Sequence, residues 1–322
     1  MSAAASATWL LLGGGYCAGA LAAQLVAEGA PVVSVTRSGS ALVAQGVDRA
    51  PDGGVRERVI AHDLLEGPCG VPVRCGVAVI SAPPTPDDDE RRLERHAVAT
   101  AVAAGVDLIV YWSSTGVLGE SGGAVVDDET PPAPTTSLAR RRRAAELAVE
   151  DAAAAAGVPC CVMRLVGIYG EGRTIRSRIE AGTYRYVDDG GMWTNRIFRD
   201  DVGHATRFIA ALGPDRAAGA WVVSDGAPFR VIEMVRFIVA ETGAAQPPSV
   251  ALDELPERAR SFWIGDRRVR PARLLAAGWR PTMPTFREGL PEAWRRELDG
   301  ASQSASGGTP GVAGARQPAR RA

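Results

Sequence analysis

An apolar run from Trp9 to Leu12 stops at three glycines, Gly13 to Gly15, and small and apolar residues then continue from Ala18 to Glu28. Four apolar residues bounded by glycine predict a buried strand, and the longer run after the turn predicts a helix. Gly29-Ala-Pro31 ends that helix, and Pro31 to Thr36 reads as a second strand. Similar runs predict strands at Val55–Ala61, Val77–Ser81, Asp107–Trp112, Gly157–Arg164 and Trp221–Asp225. Between them, the acidic stretch Asp87–Asp89 opens a helix that continues through Gly105. A further helix covers Ser137–Glu146. Asp200-Asp201 opens another, as N-cap and first-turn charge. In Pro228–Gly243 the apolar residues Val231, Met234, Val235 and Ile238 recur at helical spacing. Residues 270–299 form a small helical end with Leu274, Leu275, Trp279, Leu290 and Trp294 as its apolar face. Strands alternating with helices predict an α/β fold, a doubly wound and mainly parallel sheet with a smaller C-terminal region.

The first turn carries candidate chemistry. Gly13, Gly15 and Ala18 fit G-x-G-x-x-[G/A] between a strand and a helix, the order of a dinucleotide-binding unit. Gly13 permits the sharp turn, Gly15 leaves room for a pyrophosphate, and Ala18 lets helix and strand approach. Tyr16 and Cys17 open the helix, whose free N–H groups face the phosphates. The second strand ends in Thr36-Arg37-Ser38, where an NAD site usually has an acid for the ribose 2′-hydroxyl. Arg37 suits a 2′-phosphate instead, so the expected cofactor is NADP, with NAD second. Asp63 and Leu64 follow the third strand, and the Asp63 carboxylate fits an adenine amino group. Ser81 and Ala82 follow the fourth, and Ser113 ends the fifth.

Composition narrows the class. Of 322 residues, 36 are basic and 37 acidic, so no global field favours nucleic acid or an anionic membrane. No apolar segment approaches the roughly 20 residues of a membrane span. The N-terminus lacks the basic flank of a signal peptide, which leads to an expectation of a cytoplasmic protein. Five cysteines without ligand spacing suit a reducing compartment and give no metal site. Cys17, near a helix N-terminus, reads as an unreactive small residue rather than a redox sensor. Arg140–Arg143 spread around a helix without interleaved aromatics, so they read as solvated or cofactor-facing. The expected partner is a small-molecule substrate, with a homodimer left open. Three regions are expected: a dinucleotide-binding domain over 1–170, a mixed substrate-binding region with a late sheet strand over 171–299, and a disordered tail over 300–322.

Several landmarks in order resemble the extended short-chain dehydrogenase/reductase family, which includes nucleotide-sugar epimerases and dehydratases. They are the glycine turn, His62-Asp63-Leu64, Ser81-Ala-Pro-Pro84, Ser113-Ser-Thr115, Met163-Arg-Leu-Val-Gly-Ile-Tyr-Gly170 and Asn195-Arg-Ile-Phe-Arg-Asp-Asp201. The resemblance spans roughly residues 8–295. It implies a nicotinamide cofactor, Thr115 hydrogen-bonded to the reacting oxygen, and a Tyr-x-x-x-Lys pair on the helix after the fifth strand. Counting back from Glu146 puts Arg142 at the lysine position and Leu138 at the tyrosine position. Arg142 keeps the charge that holds ribose hydroxyls, whereas leucine transfers no proton. The chain thus resembles an atypical subgroup lacking the tyrosine.

Two functions follow. The first is an NAD(P)-dependent oxidoreductase or epimerase acting on a small polar, sugar-derived carbonyl or alcohol, with Thr115 and Arg142 as catalytic residues. Tyr184 and Tyr186 are candidates for a relocated acid. Residues 171–199, with Arg173, Arg176, Arg178, Trp193, Asn195 and Arg196, read either as substrate pocket or as surface loop. The second function is a cofactor-binding sensor or scaffold that has lost turnover.

Overall fold

The computed structural model describes residues 7–43, 57–187, 192–255, 260, 263 and 265–306. The first apolar run forms β1 (Trp9–Leu12), buried at every position. Strands β2 (Val32–Thr36) and β3 (Glu57–Ala61) lie to one side of it. β4 (Val77–Ile80), β5 (Leu108–Ser114) and the strands Cys160–Leu165 and Gly219–Val223 lie to the other. Every neighbouring pair is parallel, and Trp9 faces Val32 on one side and Val77 on the other. The winding reverses at β1, so a crevice opens beyond the carboxyl ends of β1 and β4. Gly13 and Ser81 stand at that crevice. Val55 and Arg56, expected in the third strand, lie outside the described residues.

Side chains alternate across the sheet and load both faces, as parallel strands require. Leu11 and Val79 pack with Leu21 and Leu25 of α1 (Tyr16–Ala27) and with Val202 and Ile209 of the helix Arg199–Ala211. Leu10, Ile80 and Tyr111 pack on the opposite face with Leu93 and Ala97 of α2 (Arg92–Ala103) and Val149 of α3 (Ser137–Ala155). The acidic run caps α2 from outside: the Asp88 carboxylate accepts from the backbone N–H groups of Arg92 (3.0 Å) and Leu93 (2.9 Å).

Asp200 and Asp201 lie in the first turn of the helix Arg199–Ala211, as expected, but neither is its N-cap, and Asp201 does more than supply first-turn charge. It is fully buried, and its oxygens accept from the N–H groups of Thr282 (2.7 Å) and Met283 (3.1 Å). The capping position is Phe198, so Asp201 ties a distant loop to this helix rather than capping it.

A third apolar cluster, with Phe198, Phe229, Val235, Phe286 and Trp294, forms the C-terminal region. Short ladders attach it to the sheet. Gly167–Tyr169 pairs in parallel with Arg196–Phe198, Trp193–Thr194 antiparallel with Phe229–Arg230, and Val125–Val126 in parallel with Arg268–Val269. The last helix runs from Phe286 to Ser306, past residue 299 where the helical end was expected to stop. Residues 307–322 of the expected tail lie outside the described residues. Among the described residues, no helix is long and apolar enough to cross a membrane.

Candidate functional site

Three clefts run along the carboxyl edge of the sheet and share walls. The first, about 470 Å³, lies beyond β1, β2 and β3 and is lined by Gly13, Gly14, Thr36, Arg37, Ser38, Asp63, Leu64 and Ala82. Gly13 has φ +108°, and a Cβ there would stand 2.7 Å from the Ala82 nitrogen, so only glycine fits this turn. Thr36 donates to the Ser40 carbonyl and Ser38 to the Ser40 hydroxyl, which shapes the loop after β2. A buried carboxylate fixes that loop: Glu57 accepts from the N–H groups of Leu42 and Val43, each at 2.9 Å. Arg37 is left exposed, with no partner among the described residues. Asp63 also lines the cleft, and one of its oxygens accepts from the Leu65 N–H at 3.0 Å.

The second cleft, about 430 Å³, continues past Gly14 and Gly15 to Tyr16, Cys17, Ala18, Ser81, Ser113, Ser114 and Arg142. Gly15 has open space where a Cβ would lie, and no side chain caps α1. The first N–H groups of α1 are therefore free to meet an anion. Burial pushes the Cys17 thiol up to about 11, which removes it as a reactive thiolate. Ser113 donates to buried Glu146 at 2.5 Å. Glu146 also accepts from Arg164 through two nitrogens (3.2 and 3.1 Å) and from Arg143 at 2.7 Å. This satisfied cluster fixes the end of β5 against α3.

The third cleft, about 320 Å³, shares Ser114, Arg142 and Val166 with the second. Thr115 and Leu138 line it, as do Trp193, Thr194, Asn195, Arg196 and Arg267. Three arginines line this cleft, and no carboxylate lines it among the described residues. Arg142 donates to the Tyr111 hydroxyl (3.3 Å) and the Trp112 carbonyl (3.2 Å), and Arg267 donates to the Gly119 carbonyl. Burial lowers the pKa of Arg196 and of Arg267, yet a guanidinium stays charged at any physiological pH. The acid behind Arg196 is Asp225, pushed up to about 7 by burial. Thr115 is buried, with its hydroxyl 3.4 Å from the Leu165 carbonyl. Leu138, the residue expected at the tyrosine position, lines the cleft, is 51% exposed and has no proton to give.

The structure divides residues 171–199. Arg173 lines the second cleft, and Trp193, Asn195 and Arg196 line the third. Arg176 pairs with Glu180, and Arg178 lies over the Tyr184 ring. Tyr184 and Tyr186 are buried in the C-terminal cluster and line none of the three clefts. A relocated acid from either tyrosine is therefore not what the geometry provides. Sequence reasoning missed Arg267, Thr194 and the Tyr111 hydroxyl behind Arg142. The ladder that brings Arg268 beside Val125 carries Arg267 to the cleft.

Comparison with known proteins follows the same division. Residues 9–212 match the model of the NAD dependent epimerase/dehydratase family. No curated protein matches the chain. A functionally unknown conserved protein from Silicibacter pomeroyi is 26% identical, with 90% of this chain and 99% of that one covered and a TM-score of 0.70. A putative NAD-dependent epimerase/dehydratase from Methylobacillus flagellatus is 23% identical over 91% and 99%, with a TM-score of 0.65. UDP-glucose 4-epimerase from Thermus thermophilus, solved with NAD, is 19% identical over 91% and 99%, with a TM-score of 0.66. With nearly two thirds of its length matched by the family model, the chain belongs to the NAD dependent epimerase/dehydratase family of enzymes.

Proposed function

We propose that the chain is an NADP-preferring oxidoreductase or epimerase acting on a small, polar, anionic carbonyl or alcohol of sugar-derived type. The observation that carries this reading is Arg142, which lines both the nucleotide cleft and the arginine-rich substrate cleft, with Thr115 beside it in the latter. The shape of the first two clefts fits a dinucleotide, because Gly15 leaves open space that any side chain would narrow and Gly13 makes a turn that no Cβ would fit.

When bound there, the nicotinamide ring supplies or accepts the hydride. Thr115 donates a hydrogen bond to the reacting oxygen, and Arg142 offers it positive charge while holding ribose hydroxyls. Arg196 and Arg267 hold the anionic group of the substrate from the opposite wall. A guanidinium donates hydrogen bonds without giving up its proton, so Arg142 is not the acid. The Tyr16 hydroxyl, whose pKa burial raises, donates to the Glu171 carbonyl and is not the acid either. The proton that accompanies the hydride then passes through the Thr115 hydroxyl, which gives one to the substrate oxygen and regains one from water entering beside Leu138. Without a tyrosine, turnover is expected to be slow.

Arg37, exposed and without a partner among the described residues, supports NADP. Among the similar solved structures, the Thermus enzyme holds NAD. Titrating the protein with NADPH and NADH, and then following absorbance at 340 nm with small carboxylated or phosphorylated sugars, tests both parts. Tighter NADPH binding and slow substrate-dependent oxidation support the reading. Binding with neither oxidation by any substrate nor epimerisation of any sugar tested favours the sensor, for which Leu138 is the motivating residue.

A further inference from the structure

The strand Gly167–Tyr169 leads into Gly170-Glu171-Gly172-Arg173, which crosses the N-terminus of α1. The approach is close: a Cβ on Gly170 would lie 2.5 Å from the Tyr16 hydroxyl and 3.1 Å from the Arg199 Cβ. Tyr16 donates through that hydroxyl to the Glu171 carbonyl at 2.8 Å. The C-terminal helix holds the same segment from outside. Gly172 donates its N–H to Glu297 at 2.8 Å, and Arg296 lies 3.7 Å from Glu171 while pairing with Asp200 at 2.5 Å. Arg199 forms an ion pair with Glu171. The segment is thus strapped to both the glycine turn and the last helix.

Within this strap, charge is distributed unevenly. Glu171 has two arginines beside it: Oε1 pairs with Arg199, while Oε2 lies 3.7 Å from Arg296 and accepts no hydrogen bond among the described residues. Arg173 has no carboxylate partner among the described residues, and its guanidinium lies 4.2 Å from the centroid of the Tyr16 ring. It is exposed, yet it lines the cleft formed by Gly14, Gly15 and Tyr16. The glycine turn offers a diphosphate only N–H groups and the partial charge of one helix end. A free guanidinium on the same wall supplies the full charge and the paired donors that phosphate oxygens accept.

We propose that Arg173 binds the diphosphate of the dinucleotide, and that the strap from Gly170 to Arg173 exists to hold this guanidinium over the glycine turn. The proposal rests on the cleft holding NAD(P). Stacking on Tyr16 restricts the arginine side chain before the ligand arrives, so less entropy is lost on binding.

The test compares ligands with and without the diphosphate. ADP-ribose and adenosine are titrated by calorimetry into the full-length protein and into Arg173→Ala and Arg173→Lys, with thermal midpoints measured on the same samples. The expected result is ADP-ribose binding weakened about tenfold or more in Arg173→Ala, partly restored in Arg173→Lys, with adenosine unchanged. The thermal midpoint should stay within about a degree, because an exposed side chain is removed. Unchanged ADP-ribose affinity in Arg173→Ala overturns the proposal, as does equal weakening of adenosine, which would mean a general distortion. If the wild type binds neither ligand, the cofactor reading itself fails and the Arg173 role falls with it.

Discussion

The proposed nucleotide half and the proposed substrate half of this site are built on different electrostatic plans. Around the nucleotide cleft, two buried carboxylates are saturated with donors: Glu146 holds Ser113, Arg143 and Arg164, and Glu57 holds Ser34 and two backbone N–H groups. Around the substrate cleft, Arg142, Arg196 and Arg267 stand without a carboxylate ion pair among the described residues. The acid behind Arg196 is pushed up to about 7 by burial, so near neutral pH it offsets that charge only in part. A saturated network fixes geometry, whereas uncompensated cations store binding capacity for an anion that is not part of the chain. Loss of a member of a saturated network should therefore appear as lost stability, and loss of an arginine without an ion pair, whether Arg267 here or Arg37 and Arg173 over the first two clefts, as lost affinity.

The largest expected effect lies in the saturated half. Glu146→Ala leaves Arg164, only 4% exposed, charged and without its bidentate partner. A broken buried pair costs about 3–5 kcal/mol, which urea unfolding would resolve. A loss below about 1 kcal/mol would mean that the pair does not organise the end of β5.

Next in size is a pH effect behind the substrate cleft. Asp225 titrates at about 7 in the folded chain because burial penalises its charge, against an ordinary value near 3.8. The folded state holds this proton more tightly than the unfolded one. The stability it contributes is therefore complete below pH ~3.8 and is lost as pH rises through about 7. Asp225→Asn keeps an oxygen to accept from the Ala227 N–H. Relative to wild type, the variant should gain about 2–4 kcal/mol between pH 4 and pH 7, measured by denaturant unfolding across that range. A pH-independent difference would contradict the assignment.

Cofactor choice comes third. Arg37→Ala should weaken NADPH at least about tenfold and NADH hardly at all, since one charge-assisted contact is worth about 1.5–3 kcal/mol. Equal loss for both cofactors, or tighter NADH binding in the wild type, would end the NADP reading. The smallest change in stability belongs to Arg267→Ala. Removing a cation that has no ion pair among the described residues should alter unfolding free energy by less than about 1 kcal/mol while raising the KM for an anionic substrate at least about tenfold. A large stability loss would place Arg267 in the structural half.

The two halves also differ in how far the sequence reveals them. Gly13, Thr36, Asp63 and Ser81 follow one strand after another, and a strand end puts its next residue at the sheet edge by backbone geometry alone. The substrate cleft joins Thr115 on the loop after β5, Leu138 on α3, Trp193 to Arg196, and Arg267. Ladders of two or three residues bring these together, too short to leave a periodic pattern. Tyr184 and Tyr186 show the limit: their chemistry suits a proton donor, but packing turns them into the C-terminal cluster. Asp201 shows it again, since nothing local announces a bond to Thr282. Leu138 is the opposite case, a departure visible in the sequence whose open setting only the fold reveals.

The most direct test of the account is isotope transfer. NADPH carrying deuterium at nicotinamide C4, on whichever face the chain uses, is incubated with a panel of small anionic sugar-derived carbonyl compounds, and the products are analysed by mass spectrometry. The account predicts one deuterium in the alcohol product with wild-type protein. Thr115→Val should cut the rate by roughly 10²-fold or more while NADPH affinity is retained. Tight NADPH binding with no deuterium transferred to any member of the panel, together with no epimer formed from the matching alcohols in the presence of NADP, would contradict the enzymatic assignment and leave a nucleotide-binding sensor in its place.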